Sequence, residues 1–216
     1  MTKDDLVWAA GQATIGSTVR ALAPLRVYGA ERVPQDEGVV LVFNHFSWLD
    51  PPAFGAASPR QLFFLAKAEL HDVPVVGSLI RAFGTYAVRR GESDRQAVRE
   101  MRRCVQEGNA LGVFAEGTRQ RSGMPGDVMP GAAMVALNER VPVVCAAIHG
   151  TQFWKPGNFH PVSIAWGRPF AFDGLIANGK GYREASAEIQ QRIRNLWRFL
   201  VDAHALGRPR HAVPPE

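Results

Sequence analysis

Short apolar runs alternate with amphipathic stretches along the whole chain of 216 residues. Val39-Val40-Leu41-Val42-Phe43 is rich in β-branched residues and has no polar alternation, the pattern of a strand buried on both faces. Similar runs predict strands over 25–28, 62–66, 85–88, 111–114, 141–148 and 162–166. Between them, apolar positions recur at helical spacing. They predict helices over 52–57, 74–83, 94–107, 131–139 and 184–205. Ser93 and Gln96 stand as a capping box for the 94–107 helix, and Gly108 as its C-cap. Ala97, Met101, Cys104 and Val105 form the inward stripe of that helix, and Arg95, Arg99, Arg102 and Arg103 its outer face. Residues 5–25 predict an amphipathic helix with Trp8, Ile15, Val19 and Leu22 near one face, weakened by Gly11, Gly16, Ser17 and Thr18. Such a helix either packs on the domain or lies on a membrane. Strands alternating with helices make this one α/β domain with a mixed β-sheet flanked by helices. The proline-rich residues 207–216 predict a flexible tail.

Composition narrows the partners. The formal net charge of +5 favours an anionic partner: nucleic acid, a phosphorylated small molecule or an anionic membrane. No basic stripe interleaved with aromatics sits on a recognisable nucleic-acid module, so no nucleic acid is expected. Cys104 and Cys145 are the only cysteines, which indicates neither a disulfide framework nor a cysteine-based metal site. Asp4 and Asp5 stand where a secretory signal would carry basic residues. No run of about 18 apolar residues predicts a membrane span.

The chemistry concentrates behind two strands. Asn44-His45-Phe46-Ser47-Trp48-Leu49-Asp50 follows the 39–43 strand and leads into Pro51-Pro52, a helix start. Ligands and catalytic groups of α/β sheets gather at such strand ends. A histidine titrates near neutrality, and a carboxylate beside it fixes the tautomer, so His45 with Asp50 suits general-base work. Asp50 before Pro51 also reads as a helix N-cap, and a carboxylate has acceptor sites for both roles. No second histidine or cysteine at ligand spacing suggests zinc, and no metal is expected. The 111–114 strand runs into Ala115-Glu116-Gly117-Thr118-Arg119. Gly117 permits a tight backbone approach, Thr118 offers a hydroxyl, and Arg119 a planar donor fork suited to phosphate. Gly-Lys-Ser/Thr at P-loop spacing and a G-x-S-x-G nucleophile elbow are both missing.

These blocks, in order, resemble the 1-acylglycerol-3-phosphate acyltransferase (PlsC-like) family of glycerolipid acyltransferases. The likeness rests on Asn44-His45-(four residues)-Asp50, Gly84 to Arg90, Phe114-Ala115-Glu116-Gly117-Thr118-Arg119 and Val141-Pro142-Val143-Val144. The spacing of Lys67-Ala68-Glu69-Leu70 before Gly77 is similar as well. The likeness covers roughly residues 38–170. Ala115 replaces a usual proline, Ala87 stands where phenylalanine is frequent, Cys145 replaces a proline, and Met129 stands where many members have lysine. These departures bear on the acceptor rather than on the catalytic pair.

The chain is expected to divide into an N-terminal amphipathic helix (1–24), an acyltransferase domain (25–206) and the flexible tail (207–216). The resemblance carries the function. It implies transfer of a fatty acyl group from a thioester, acyl-CoA or acyl carrier protein, to the hydroxyl of a lysophospholipid, foremost 1-acylglycerol-3-phosphate. His45 would be the base and Asp50 its orienter. Lys67, Arg90 and Arg119 would hold an acceptor phosphate, beside Gly117 and Thr118, and Glu116 would hold the acceptor hydroxyl or order the arginines. No cofactor is implied. Other lyso-acceptors share the chemistry. Thioester hydrolysis and non-catalytic lipid binding are the readings of a different class. The expected setting is peripheral, on the cytoplasmic face of the membrane.

Overall fold

The computed structural model describes residues 8–74, 77, 84–88 and 94–215. Among these, seven strands form one sheet: β1 (Leu25–Tyr28), β2 (Val39–Phe43), β3 (Leu62–Lys67), β4 (Thr85–Val88), β5 (Ala110–Phe114), β6 (Val143–His149) and β7 (Val162–Trp166). Their order is β1-β7-β6-β2-β5-β3-β4. The five strands from β6 to β4 run parallel, whereas β7 is antiparallel to β6 and β1 follows β7. The C-termini of β2, β5 and β6 therefore share one edge, in register at Phe43, Phe114 and Ala146. That edge collects the loops predicted to carry chemistry.

Helices cover both faces. They are α1 (Ser17–Leu22), α2 (Asp50–Ala57), α3 (Ala68–His71), α4 (Asp94–Gln106), α5 (Gly131–Glu139) and α6 (Gly179–Ala205). One face packs Val40, Val42, Leu111 and Cys145 against Met101 and Cys104 of α4, α5, and Ile189, Ile193 and Leu196 of α6. The other packs Leu41, Phe43, Ile148 and Ile164 against Val19 of α1 and Ala53 and Phe54 of α2. Each fully buried large side chain in these layers contributes about 1.5–3 kcal/mol. Phe43 sits at the centre, stacked on Phe54 at 4.0 Å and edge-on to Trp166 and Phe114. Every residue of β2 is buried, as its unbroken apolar run requires.

Three differences from the sequence expectation have physical causes. The first lies in the N-terminal helix, which is helical from Trp8 but loosens into a π turn at Gln12–Gly16, between its two glycines. It packs on α2: the Gln12 side chain donates to Gly55 O at 2.6 Å and Arg20 donates to Ala56 O. Trp8 and Ile15 face α2 and β3 rather than solvent, while Ala9, Ala10, Ala13, Thr14, Ser17 and Thr18 face outward.

The second is α6, which begins five residues before its predicted start. Asn178 caps it, its carboxamide oxygen accepting from Lys180 N and Gly181 N. The third is the tail, expected to be flexible: residues 207–215 lie against the domain. Arg32 donates to the carbonyls of Pro214 and Pro215, and Arg208 donates to Pro24 O. The predicted helix over 74–83 and the Ser93 cap fall outside the described residues, apart from Pro74 and a helical Gly77. The outer arginines of α4 are partly paired, Arg102 with Glu139 and Arg103 with Glu107.

Candidate active site

His45 leaves β2 two residues beyond Phe43, on the edge where β5 and β6 also end. Its Nδ1 lies 2.8 Å from Asp50 Oδ2. The same carboxylate oxygen accepts from the backbone N–H groups of Phe46 at 2.6 Å and Ser47 at 2.7 Å. Asp50 is wholly buried. The carboxylate thus closes the loop 45–50 on itself and offers the ring nitrogen only an acceptor. Nδ1 then carries the proton, and Nε2 keeps a lone pair.

The N-cap expectation for Asp50 is corrected. Asp50 is the first residue of α2, the cap position is Leu49, and no side chain caps the helix. Pro51 and Pro52 have no N–H to offer in the first turn, so the carboxylate turns back to the preceding loop. Its negative charge still sits favourably at the helix N-terminus. Its second oxygen, Oδ1, is buried without a protein partner among the described residues.

Three neighbours fix the loop. Asn44, fully buried, donates from Nδ2 to Ile148 O at 3.0 Å and accepts at Oδ1 from Ile148 N at 2.8 Å. That pair ties the end of β2 to the end of β6. The His45 ring stacks on Phe114 at 4.2 Å. Gln120 N donates to His45 O at 2.8 Å, which brings the loop after β5 alongside. Sequence reasoning assigned no role to Asn44, Phe114 or Gln120. The available signal was an asparagine directly behind a strand buried on both faces, where an amide must find backbone partners.

Glu116 differs most from expectation. It is 7% exposed, and both carboxylate oxygens are engaged by main chain: Oε2 by His45 N and Oε1 by Gly126 N, each at 2.8 Å. Burial pushes its carboxyl up to about 7, against the pull of those two N–H groups. It reads as a clamp between the loops after β2 and β5. Gly117 supplies the left-handed turn that follows, with φ +64°. Thr118 and Arg119 are exposed beyond it, and the Arg119 guanidinium makes no ion pair among the described residues.

The remaining predicted residues divide. Lys67 is the last residue of β3, in register with Val88 at the end of β4, on the same edge as His45. Arg90 lies outside the described residues. A second group at this edge was not anticipated. His149 at the end of β6 meets the His204 ring edge-on at 4.7 Å, and His204 Nε2 lies 2.9 Å from Ser163 Oγ. Burial lowers both imidazoles to about 4, keeping them neutral. No cluster of metal-ligating side chains occurs among the described residues.

A family model described as Acyltransferase matches residues 24–149. The chain belongs to that family. It is 29% identical over 132 residues to the 1-acyl-sn-glycerol-3-phosphate acyltransferase of Bacillus subtilis, covering 61% of this chain and 65% of that protein. It is 35% identical over 99 residues to the lyso-ornithine lipid O-acyltransferase of Pseudomonas aeruginosa, covering 45% of this chain and 37% of that one. The chain thus spans between about a third and two thirds of these relatives' length. The crystal structure of the 1-acyl-sn-glycerophosphate acyltransferase PlsC from Thermotoga maritima superposes with a TM-score of 0.71. Sequence identity there is 25%, over 88% of this chain and 78% of that one. As an Acyltransferase member, the chain has its His45–Asp50 pair and Glu116 clamp inside the matched segment.

Proposed function

We propose that this acyltransferase moves a fatty acyl group from a thioester to the hydroxyl of a lysophospholipid, with 1-acylglycerol-3-phosphate as acceptor and phosphatidate as product. The observation that carries it is the His45–Asp50 pair, whose geometry leaves Nε2 as the proton acceptor. The acceptor O–H gives its proton to Nε2 as its oxygen attacks the thioester carbonyl. The C–S bond then breaks, and the departing thiolate takes the proton back from the imidazolium. No covalent acyl-enzyme is required. Asp50 stabilises the transient positive charge.

Arg119, exposed beyond the Gly117 turn, would meet the acceptor phosphate, and Lys67 at the end of β3 would add a second cation from the same sheet edge. Glu116 acts here as the loop clamp and not as the group that holds the acceptor hydroxyl. An apolar cavity of about 220 Å³ lies between the N-terminal helix, α2 and β3, walled by Trp8, Ile15, Pro51, Gly55 and Phe64. Phe64 stacks on Phe114, which carries His45, so this space suits a stretch of acyl chain close to the reacting carbonyl. Among the described residues no helix is long and apolar enough to cross a membrane. The protein acts as a peripheral enzyme at the cytoplasmic face, taking acyl-CoA or acyl carrier protein as donor.

Similarity to a lyso-ornithine lipid acyltransferase supports a second reading with a different acceptor. The deciding assay supplies purified protein with a labelled acyl thioester and a panel of lyso-acceptors. Transfer to 1-acylglycerol-3-phosphate, lowered about 10²–10⁴-fold in His45→Ala, supports the proposal. Preference for a phosphate-free acceptor overturns the acceptor assignment. Thioester hydrolysis without transfer overturns the reaction.

A further inference from the structure

Ten large apolar side chains are exposed among the described residues, and their distribution is uneven. Seven lie in segments that leave or enter the sheet at the edge carrying His45; the exceptions are Ile176, Leu206 and Val213. Leu22, Trp48, Phe153 and Phe159 stand on one side of His45, and Met124 and Met129 on the other, each at least 40% exposed. They belong together: Trp48 packs edge-on against Trp154 at 5.5 Å, and Trp154 Nε1 donates to Leu22 O at 3.0 Å. Met129 Cγ lies 3.8 Å from where a Cβ on Gly117 would stand.

The loop between β6 and β7 is built to present its aromatics. Asn158 Oδ1 accepts from Lys155 N and His160 N, and its Nδ2 donates to Phe153 O at 2.9 Å. Phe159 itself has φ +47°, a conformation that side chains other than glycine and asparagine seldom adopt. An exposed phenylalanine held in such a backbone gains nothing from the core. Lys155, Arg119 and Arg121 lie on the same two loops and make no ion pair among the described residues. The acid of these loops outside the clamp, Asp127, is drawn toward Arg194 at 3.4 Å. Aromatic and sulfur side chains beside cations that make no ion pair among the described residues match the interface of an anionic bilayer. The outward face of the N-terminal helix carries only small residues from Ala9 to Thr18, because its large ones face α2.

We propose that the protein docks on an anionic phospholipid bilayer through this loop edge, with Phe153, Phe159 and Trp48 entering the interface. The surface turns the sheet edge that carries His45 toward the membrane, so a lysolipid presents its hydroxyl without leaving the leaflet. This rests on the proposed transfer to a lipid acceptor.

The test uses the full chain with vesicles of phosphatidylcholine, alone and with increasing phosphatidylglycerol, read by flotation. Binding should rise with phosphatidylglycerol. It should fall about tenfold or more in Phe153→Ser/Phe159→Ser, as expected for removing two half-exposed rings from an apolar phase. It should stay within about twofold in Ile176→Ser and in Ala9→Glu/Ala13→Glu, the usual range for surface changes away from an interface. Brominated lipid should quench Trp48, shown by a smaller quench in Trp48→Phe, a variant that needs no change at the loop 150–161. The melting temperature and transfer to a micellar acceptor report on the folding and chemistry of the double variant.

Binding unchanged in the double variant, binding lost in the helix-face variant, or a wild type that floats with no vesicle overturns the surface. Loss of binding in the double variant with no transfer to any acceptor leaves the surface standing and refutes the lipid-acceptor reading. Transfer in micelles with unaltered flotation does the reverse.

Discussion

Replacing Glu116 with glutamine separates a loop clamp from a substrate ligand. The carboxylate accepts from His45 N and Gly126 N through different oxygens. A glutamine offers one acceptor, so its amide N–H₂ must face one of those N–H donors. The loss of one bond and the facing of two buried donors cost about 1–3 kcal/mol. The substitution also removes a buried charge. Burial raises the Glu116 pKa from 4.5 to about 7, which corresponds to roughly 3 kcal/mol.

The sign follows from linkage. The folded protein binds the Glu116 proton more tightly than the unfolded chain. The stability tied to that proton is full below pH 4.5 and is lost as pH rises through 7. Glutamine has no such dependence. Chemical unfolding at intervals from pH 5 to pH 8 should therefore show the variant clearly less stable than wild type at the acid end. The gap should close by up to about 3 kcal/mol toward pH 8. In the transfer assay at pH 8, kcat should fall because the His45 loop is released, while KM for the acceptor stays near wild type. A stability gap that is constant with pH would refute the burial argument. A raised acceptor KM with normal kcat would refute the clamp and return Glu116 to the acceptor hydroxyl.

Other substitutions test the rest of the site. Asp50→Asn should lose activity as severely as His45→Ala and also lower stability by about 2–5 kcal/mol, since Oδ2 holds three donors inside the protein; a normal melting temperature argues against that triple role. Arg119→Ala should raise KM for a phosphorylated acceptor about tenfold or more and leave the thioester KM unmoved, as loss of a charge-assisted contact predicts; the opposite split assigns Arg119 to the donor. Gly55→Leu should fill the cavity beside Trp8, whose ring lies 4.0 Å from where a Cβ would stand, and shift the preferred acyl donor to shorter chains. An unchanged chain-length profile places the acyl chain elsewhere. Gly117→Ala should cost about 1–2 kcal/mol through its left-handed φ alone, because the nearest atom to an added Cβ, Met129 Cγ at 3.8 Å, is in ordinary contact; urea unfolding with no shift would contradict this.

The one-dimensional pattern determined the layered α/β architecture. β2 shows why: five consecutive apolar, mostly β-branched residues have no face to give to water, so the strand has to lie inside a sheet covered on both sides. β7 fell on its predicted limits for a related reason, since Pro161 and Gly167 bound it closely. The spacing of His45 and Asp50 across a strand-to-helix loop was likewise legible, because five residues of loop reach back only a few ångströms. The direction of β7 and β1 was not. An apolar run is the same read parallel or antiparallel, and only the partners reveal which.

The roles of the two carboxylates were also decided by the tertiary structure. Asp50 turned backward because the two prolines after it have no N–H and the Ala53 N–H is taken by Leu49 O. Glu116 became a clamp because register places the ends of β2 and β5 side by side, which leaves its buried carboxylate between two loop N–H groups. The N-terminal helix followed the same logic. Its apolar stripe suits a membrane or a protein partner equally well, and the exposed groove over α2 and β3 took it. A sequence fixes which side chains seek burial or a charge partner. Which of several equivalent partners they meet depends on how distant segments are brought together.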